Sequence, residues 1–351
     1  MEDHVLSIDL DDLKAVSRID QSNMIAAIDK FPDIFLQSRE LRNVPLMRAR
    51  SSIQSLVLMG MGGSASAADV VLDWLRPSLL IPAIVLREPK LPAFVNSRTL
   101  FVAVSYSGET SETLAGFQEA RNRKSSLVGI GHGGSLASVC HRMNAPFIQI
   151  GASLAPRVAL GSLIVAATIV LESAGLVRST TREMSEAGRD LVRVRNRCQI
   201  ESSLTHNPSK RLAKKLVGHL PVIYSLQRMS SVARRFKNQL AENSKVLAKY
   251  DLLPEAGHNE VEAWHEKDNK VSVIIRDLQE TAFEASIVRA FRDTIASASR
   301  SRPLEVRSAS RGRLSRLLSP IFFLDYVSVY LAILRRVDPT PNDLINEYKK
   351  R

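Results

Sequence analysis

Residues 53–66 read IQSLVLMGMGGSAS, and residues 99–110 read TLFVAVSYSGET. Each opens as an apolar run, passes through a short stretch of glycine and hydroxyl residues, and then takes up helical periodicity. Apolar runs of this length are strands covered on both faces, and such strands separated by helices build a parallel sheet. The same texture extends outward. Residues 82–86 (PAIVL), 126–131 (SLVGIG) and 146–150 (PFIQI) read as buried strands, with helices expected near 65–75, 111–123 and 135–142. A long apolar helix from about residue 160 closes this region. An arginine-rich helical connector at 178–197 follows, and then the alternation resumes. Strands are expected at 221–225 (PVIYS), 271–276 (VSVIIR) and 304–307 (LEVR), and helices at 230–247, 283–298 and 321–335, with a last helix near 341. The chain reads as α/β, with two similar domains and a weak internal duplication.

Composition agrees. The 351 residues exceed what one core usually supports, and 45% hydrophobic with 24% charged residues excludes wholesale disorder. The net charge of +12 favours anionic partners without choosing among them. The two cysteines, Cys140 and Cys198, form neither a disulfide framework nor a metal-ligand spacing, which points to a reducing compartment. The start, MEDHVLSIDLDD, is acidic where a secretory signal would be basic and then apolar. Glu172 and Ser173 interrupt the greasiest stretch, residues 159–177, so it reads as a buried core helix and not a membrane span. A cytoplasmic location is expected. Residues 298–316 hold six arginines and one glutamate but no interleaved aromatics. That stretch reads as a solvated loop and strand edge, and nucleic acid is not an expected partner.

The two quoted loops carry the chemistry. Gly60, Gly62 and Ala65 satisfy a G-x-G-x-x-A pattern between strand and helix, with Glu88 after the next strand as a ribose partner in a dinucleotide reading. The second loop changes the balance. Ser105, Ser107 and Thr110 set three hydroxyls beside another helix N-terminus, and two such loops at one sheet edge converge on one anion. A phosphomonoester held by Gly63, Ser64, Ser105, Ser107 and Thr110 is the expected ligand. The competing reading makes these hydroxyls ordinary helix caps.

Together these loops resemble the sugar isomerase (SIS) domain. The likeness extends over Pro156-Arg157, residues 235–245 (RFKNQLAENSK), residues 257–264 (GHNEVEAW) and the C-terminal DYVSVYLAILRRVDPTP. It is nearest to the bifunctional phosphoglucose/phosphomannose isomerases. The resemblance implies two tandem SIS-type domains with doubly wound, flavodoxin-like parallel sheets. Residues 1–177 form the first with a preceding helical segment, 178–205 the connector, and 206–351 the second with a C-terminal helix.

Aldose–ketose isomerisation passes through an enediol(ate) and needs a base near C1 and C2, a cation for the developing oxyanion, and a ring-opening acid/base group. On the residue pattern alone, Glu242 shares helical spacing with Arg235, Gln239 and Lys245, which would orient it. The resemblance implies Glu242 as the base, His258 as the ring opener and Arg157 as the enediolate partner. It also implies a site lysine at Lys349, with Lys350 as the fallback, and a homodimer in which His258 comes from the second subunit. Thr340 is a candidate for epimer selection. His258, Glu260, Glu262 and His265 cluster without a metal-ligand spacing, so no metal or cofactor is expected, and Glu260 and Glu262 are expected to face solvent or a partner chain. Glu109 departs from the family pattern and is expected to add negative charge near the phosphate. The alternative to an isomerase is a non-catalytic sugar-phosphate sensor.

Overall fold

The computed structural model describes residues 8–41, 53–265, 269–308 and 310–350. Residues 1–7 of the acidic start and Ala309 of the arginine-rich stretch lie outside them. By compactness the chain divides into residues 30–188 and a second unit made of residues 1–29 with 189–351.

The first unit holds strands β1 (Ser55–Met59), β2 (Ala83–Leu86), β3 (Thr99–Val104), β4 (Ser126–Gly131) and β5 (Phe147–Gln149). All pairings are parallel and the order is β2-β1-β3-β4-β5, with Val57 opposite Ile84 on one side and Phe101 on the other. Every residue of β1 and β3 is buried, which explains why both read as unbroken apolar runs. The apolar helix Leu160–Ser173 is almost wholly buried and ends where the chain turns through Gly175, at φ +68°.

The second unit holds β6 (Leu220–Leu226), β7 (Lys249–Leu253), β8 (Lys270–Arg276) and β9 (Leu304–Arg307), parallel in the order β7-β6-β8-β9. Relative to chain order this repeats the first four strands of the other sheet. The core on one face centres on Tyr224, whose ring meets Phe291 edge-on at 4.6 Å. The 22-residue helix Arg313–Leu334 is long and apolar enough by composition to cross a membrane, but 89% of its apolar window is buried inside the structure. Both cysteines are free, and burial pushes their thiols up to about 11.

A buried lysine fastens the N-terminal segment to this unit. Lys210 is fully enclosed, and its Nζ donates to Leu10 O (2.9 Å), Ile200 O (2.8 Å) and Asp11 Oδ1 (2.8 Å). All three ammonium protons are thereby satisfied, as a buried charge requires. The bond from Lys210 holds the Asp11 carboxyl below its ordinary range.

Four elements differ from the sequence reading. β7 is an edge strand whose sequence, KYDLL, is polar at its start and only partly covered, so it lacks the apolar run that marked the others. The helix Pro208–Leu216 was not expected, although Asn207 accepts from Ser209 N and Lys210 N as an N-cap and Pro208 opens the first turn. The helix expected over 230–247 stops at Glu242. The helix expected from 321 begins at Arg313 and carries Pro320 inside it.

Candidate active site

The first crevice lies at the carboxyl ends of β1 and β3, where the strand order reverses and an open parallel sheet leaves room for a ligand. β1 runs through Gly60 and Met61 into the helix Gly62–Leu75, which has no side-chain cap and no acidic residue in its first turn. β3 runs through residues 105–110 into the helix Ser111–Asn122. Its N-cap residue, Thr110, makes no side-chain cap bond, and Glu112 lies in its first turn. Both helix starts therefore offer N–H groups to an anion.

Hydrogen bonds join the two loops. Ser64 Oγ accepts from Tyr106 N at 3.1 Å. Ser105 Oγ accepts from Gly108 N at 3.2 Å and donates to Thr110 Oγ1 at 3.1 Å. Ser107 is exposed, and its Oγ accepts from Glu109 N at 3.2 Å. Thr110 thus sends its hydroxyl toward the loop and not into a helix cap. Gly108 is required twice over. Its φ is +73°, and a Cβ there would lie 1.9 Å from Gly133 O.

The segment carrying Arg157 closes on the same loops. A Cβ on Gly63 would sit 3.2 Å from Pro156 O and 3.4 Å from Arg157 Cα, so the missing side chain lets the two backbones approach. Tyr106 OH accepts from Ser153 N (2.7 Å) and donates to Ser153 O (3.0 Å), tying the second loop to the approach of that segment. Arg157 is buried, 3% exposed. The loops that carry Gly63, Ser64, Ser105, Ser107 and Thr110 thus lie beside one another, with the Arg157 turn against Gly63.

Glu109 turns its carboxylate to a neighbouring helix start. Its two oxygens accept from Ser135 N and Ser135 Oγ, each at 2.7 Å, in the first turn of the helix Gly134–Arg142. Those bonds hold its carboxyl below the ordinary range. The carboxylate caps a third helix, where a negative charge is favourable.

In the second unit, Glu242 ends the helix Ser230–Glu242 and is half-buried. Its Oε2 accepts from Asn342 Nδ2 at 3.4 Å. Lys245 Nζ donates to the backbone carbonyls of Glu242 and Pro341. The helix end is anchored from below. Asn243 Nδ2 donates to Ser328 Oγ (2.9 Å), and Ser244 Oγ to Ser328 O (2.6 Å). Arg235 is held by a carboxylate from another helix. It pairs with Asp325 through Nε (3.1 Å) and Nη2 (2.6 Å), and both side chains are buried. The Arg235–Asp325 pair anchors the helix to a second element, and the Lys245 bonds tie its last residue to the loop that holds Pro341. Asn342 was missed, because a lone asparagine after DPTP carries no spacing signal.

Thr340 lies in the same loop as Asn342, its N–H donating to Asp338 Oδ1 at 2.9 Å. Lys349 is exposed on the helix Asp343–Lys350, which Lys350 ends. His258 is exposed at the end of the 3-10 turn Glu255–His258, and among the described residues its side chain makes no hydrogen bond. Glu262 is exposed, as expected, but Glu260 is not. Glu260 accepts from Tyr224 OH at 2.7 Å and pairs with Lys249. Burial, together with the Glu260 carboxylate, pushes the Tyr224 phenol well above its usual range. Among the described residues no group of three His, Cys, Asp or Glu side chains is placed to hold a metal ion.

Comparison with known proteins adds three findings. Residues 205–351 match the family model described as the bacterial phospho-glucose isomerase C-terminal SIS domain. The chain is 31% identical over 334 residues to the bifunctional phosphoglucose/phosphomannose isomerase of Caldicellulosiruptor bescii, covering 93% of this chain and 98% of that one. It is 29% identical to the similarly named protein of Aquifex aeolicus, over 85% of this chain and 90% of that one. Among solved structures, a hypothetical protein from Thermus thermophilus shares the fold with a TM-score of 0.73 at 17% identity, covering 96% of this chain and 92% of that one.

Proposed function

The chain belongs to the bifunctional phosphoglucose/phosphomannose isomerase family, and from that premise we propose that it interconverts glucose 6-phosphate and mannose 6-phosphate with fructose 6-phosphate. The observation that carries the reading on the structural side is the crevice at β1 and β3. Two helix starts without side-chain caps, joined by the Ser64–Tyr106 bond, suit a phosphomonoester. In this reading Gly63, Ser64, Ser105, Ser107 and Thr110 hold the phosphate through backbone N–H groups and hydroxyls.

The remaining roles follow the chemistry. Glu242 removes the proton at C2 of the open-chain aldose and returns it at C1, passing through the enediol(ate). Its anchored helix end and its contact with Asn342 support a fixed carboxylate. Arg157 stabilises the enediolate oxygen and His258 opens the sugar ring. The exposure of His258 fits a group that acts on the second subunit of a homodimer. Lys349 completes the site, and Thr340, two residues from Asn342, bears on the C2 epimer.

The test is formation of fructose 6-phosphate from each aldose phosphate, in EDTA, for wild type and Glu242→Gln. The expected outcome is turnover of both substrates that falls by about 10²–10⁴ in the variant, the usual worth of a positioned base. Unchanged turnover in the variant removes Glu242 from the mechanism. Binding of both sugars without turnover selects the sensor reading.

A further inference from the structure

β9 pairs with β8 along one edge, and among the described residues no strand lies along the other. In the first sheet the corresponding position is taken by β5, which pairs with β4. The second unit has a cavity of about 1250 Å³ there, and all four residues of β9 line it. Its floor is apolar, from Val194, Leu212, Val271 and Phe323. Its rim is cationic. Arg197, Arg211, Lys215 and Arg302 line it, all are exposed, and none is in an ion pair among the described residues. Ser308, which follows β9 directly, is 3% exposed, lines the cavity, and has no hydrogen-bond partner for its Oγ. The arginine-rich stretch singled out in the sequence supplies Arg302, β9 and Ser308.

We propose that this open edge takes up an extended acidic segment of a partner protein as an added strand. An edge strand offers unpaired backbone N–H and C=O groups, and an added strand satisfies them in register. Side chains of the added strand alternate in direction, so an acidic–apolar alternation sets apolar groups on the floor and carboxylates against the rim. Charge complementarity selects the occupant. The exposed Arg197, Arg211, Lys215 and Arg302, without ion pairs among the described residues, attract an acidic segment. Among the described residues Phe323 is the one Phe, Tyr or Trp side chain lining the cavity, and it belongs to the floor, so the rim offers no such ring for the stacking that single-stranded nucleic acid uses.

The competing explanation is that the charges only blunt the edge against aggregation. Fluorescence polarisation of a labelled peptide of alternating Glu and Val separates the two. The expected result is saturable binding that weakens about tenfold or more in the Arg197→Glu/Arg302→Glu double variant, with circular dichroism confirming its fold. A peptide N-methylated at alternate amides keeps every charge but loses its donors, and it should bind wild type at least about tenfold more weakly. Equal binding of the methylated peptide or of polyglutamate overturns the proposal, because charge alone then accounts for the affinity. No binding of the Glu-Val peptide, or equal binding of a Lys-Val peptide, overturns it as well.

Discussion

The crevice at β1 and β3 and the crevice at β6 and β8 occupy the same place in two sheets of matching strand order, yet they are finished in opposite ways. The first is lined by glycines and hydroxyls. The hydrogen bond crossing it runs from an amide to a serine, and its helix starts carry no side-chain caps. The second is closed by charge. Arg228, after β6, reaches Asp277 after β8 at 3.5 Å and also pairs with Glu284. Arg316 meets Asp277 from the other side at 2.9 Å. Arg276 is paired with Glu280 and Glu305. The helix that follows β8, Ala282–Ser299, opens with a complete capping box between Thr281 and Glu284. The first crevice has two helix starts without side-chain caps, and the second caps the helix after β8 while the helix after β6, Ser230–Glu242, carries no side-chain cap. Strand order determines where a site can form, and loop chemistry determines whether one does.

If that contrast holds, substitutions should injure the two crevices differently. The largest effect on folding is expected at Asp277, whose side chain is 2% exposed. Asp277→Ala leaves Arg228 and Arg316 without their shared carboxylate and should cost about 3 kcal/mol, read by denaturant unfolding. KM for glucose 6-phosphate should not change. A raised KM at unchanged stability would mean that the second crevice also binds substrate.

The complementary substitution is Ser107→Ala. Its exposed hydroxyl should contribute little to unfolding but raise KM for both sugar phosphates about tenfold, the worth of one hydrogen bond to a charged group. A stability loss without a KM change would assign that loop to structure. The smallest effect belongs to Glu109. Its carboxyl is held below the usual range, so its contribution is present above the ordinary value of 4.5 and is lost as pH falls through the lowered one. Melting temperatures of wild type and Glu109→Gln should therefore differ slightly near neutral pH and converge in acid, with KM unaffected. A KM that falls in the variant would return the carboxylate to the phosphate.

Much of this was legible in the sequence, for reasons that follow burial. β1 and β3 are covered on both faces and so declare themselves as apolar runs, and the loops after them stand out because glycine and serine have few other reasons to cluster there. β7 was not legible, since an edge strand needs less apolar surface. The partners of charged residues were not legible either. Arg235 pairs with Asp325, from a helix far along the chain, and nothing in the sequence around Arg235 marks that partner. Glu260 reads as a surface carboxylate in GHNEVEAW, but Tyr224 and Lys249 engage it. Spacing along one helix predicts neighbours on that helix and says nothing of what another element brings.

The enclosure of Lys210 bears on the order in which the protein is made. Two of its three acceptors, Leu10 and Asp11, are synthesised long before it, and the bond to Leu10 spans 200 positions of sequence. The N-terminal segment therefore waits, undocked, while the whole first sheet is synthesised. The span matched by the C-terminal family model, residues 205–351, is accordingly a unit of descent but not a unit of assembly. Expressed alone, that fragment would leave the Lys210 ammonium without its three acceptors, and damage around Leu10 and Asp11 would be felt in the unit that is completed last.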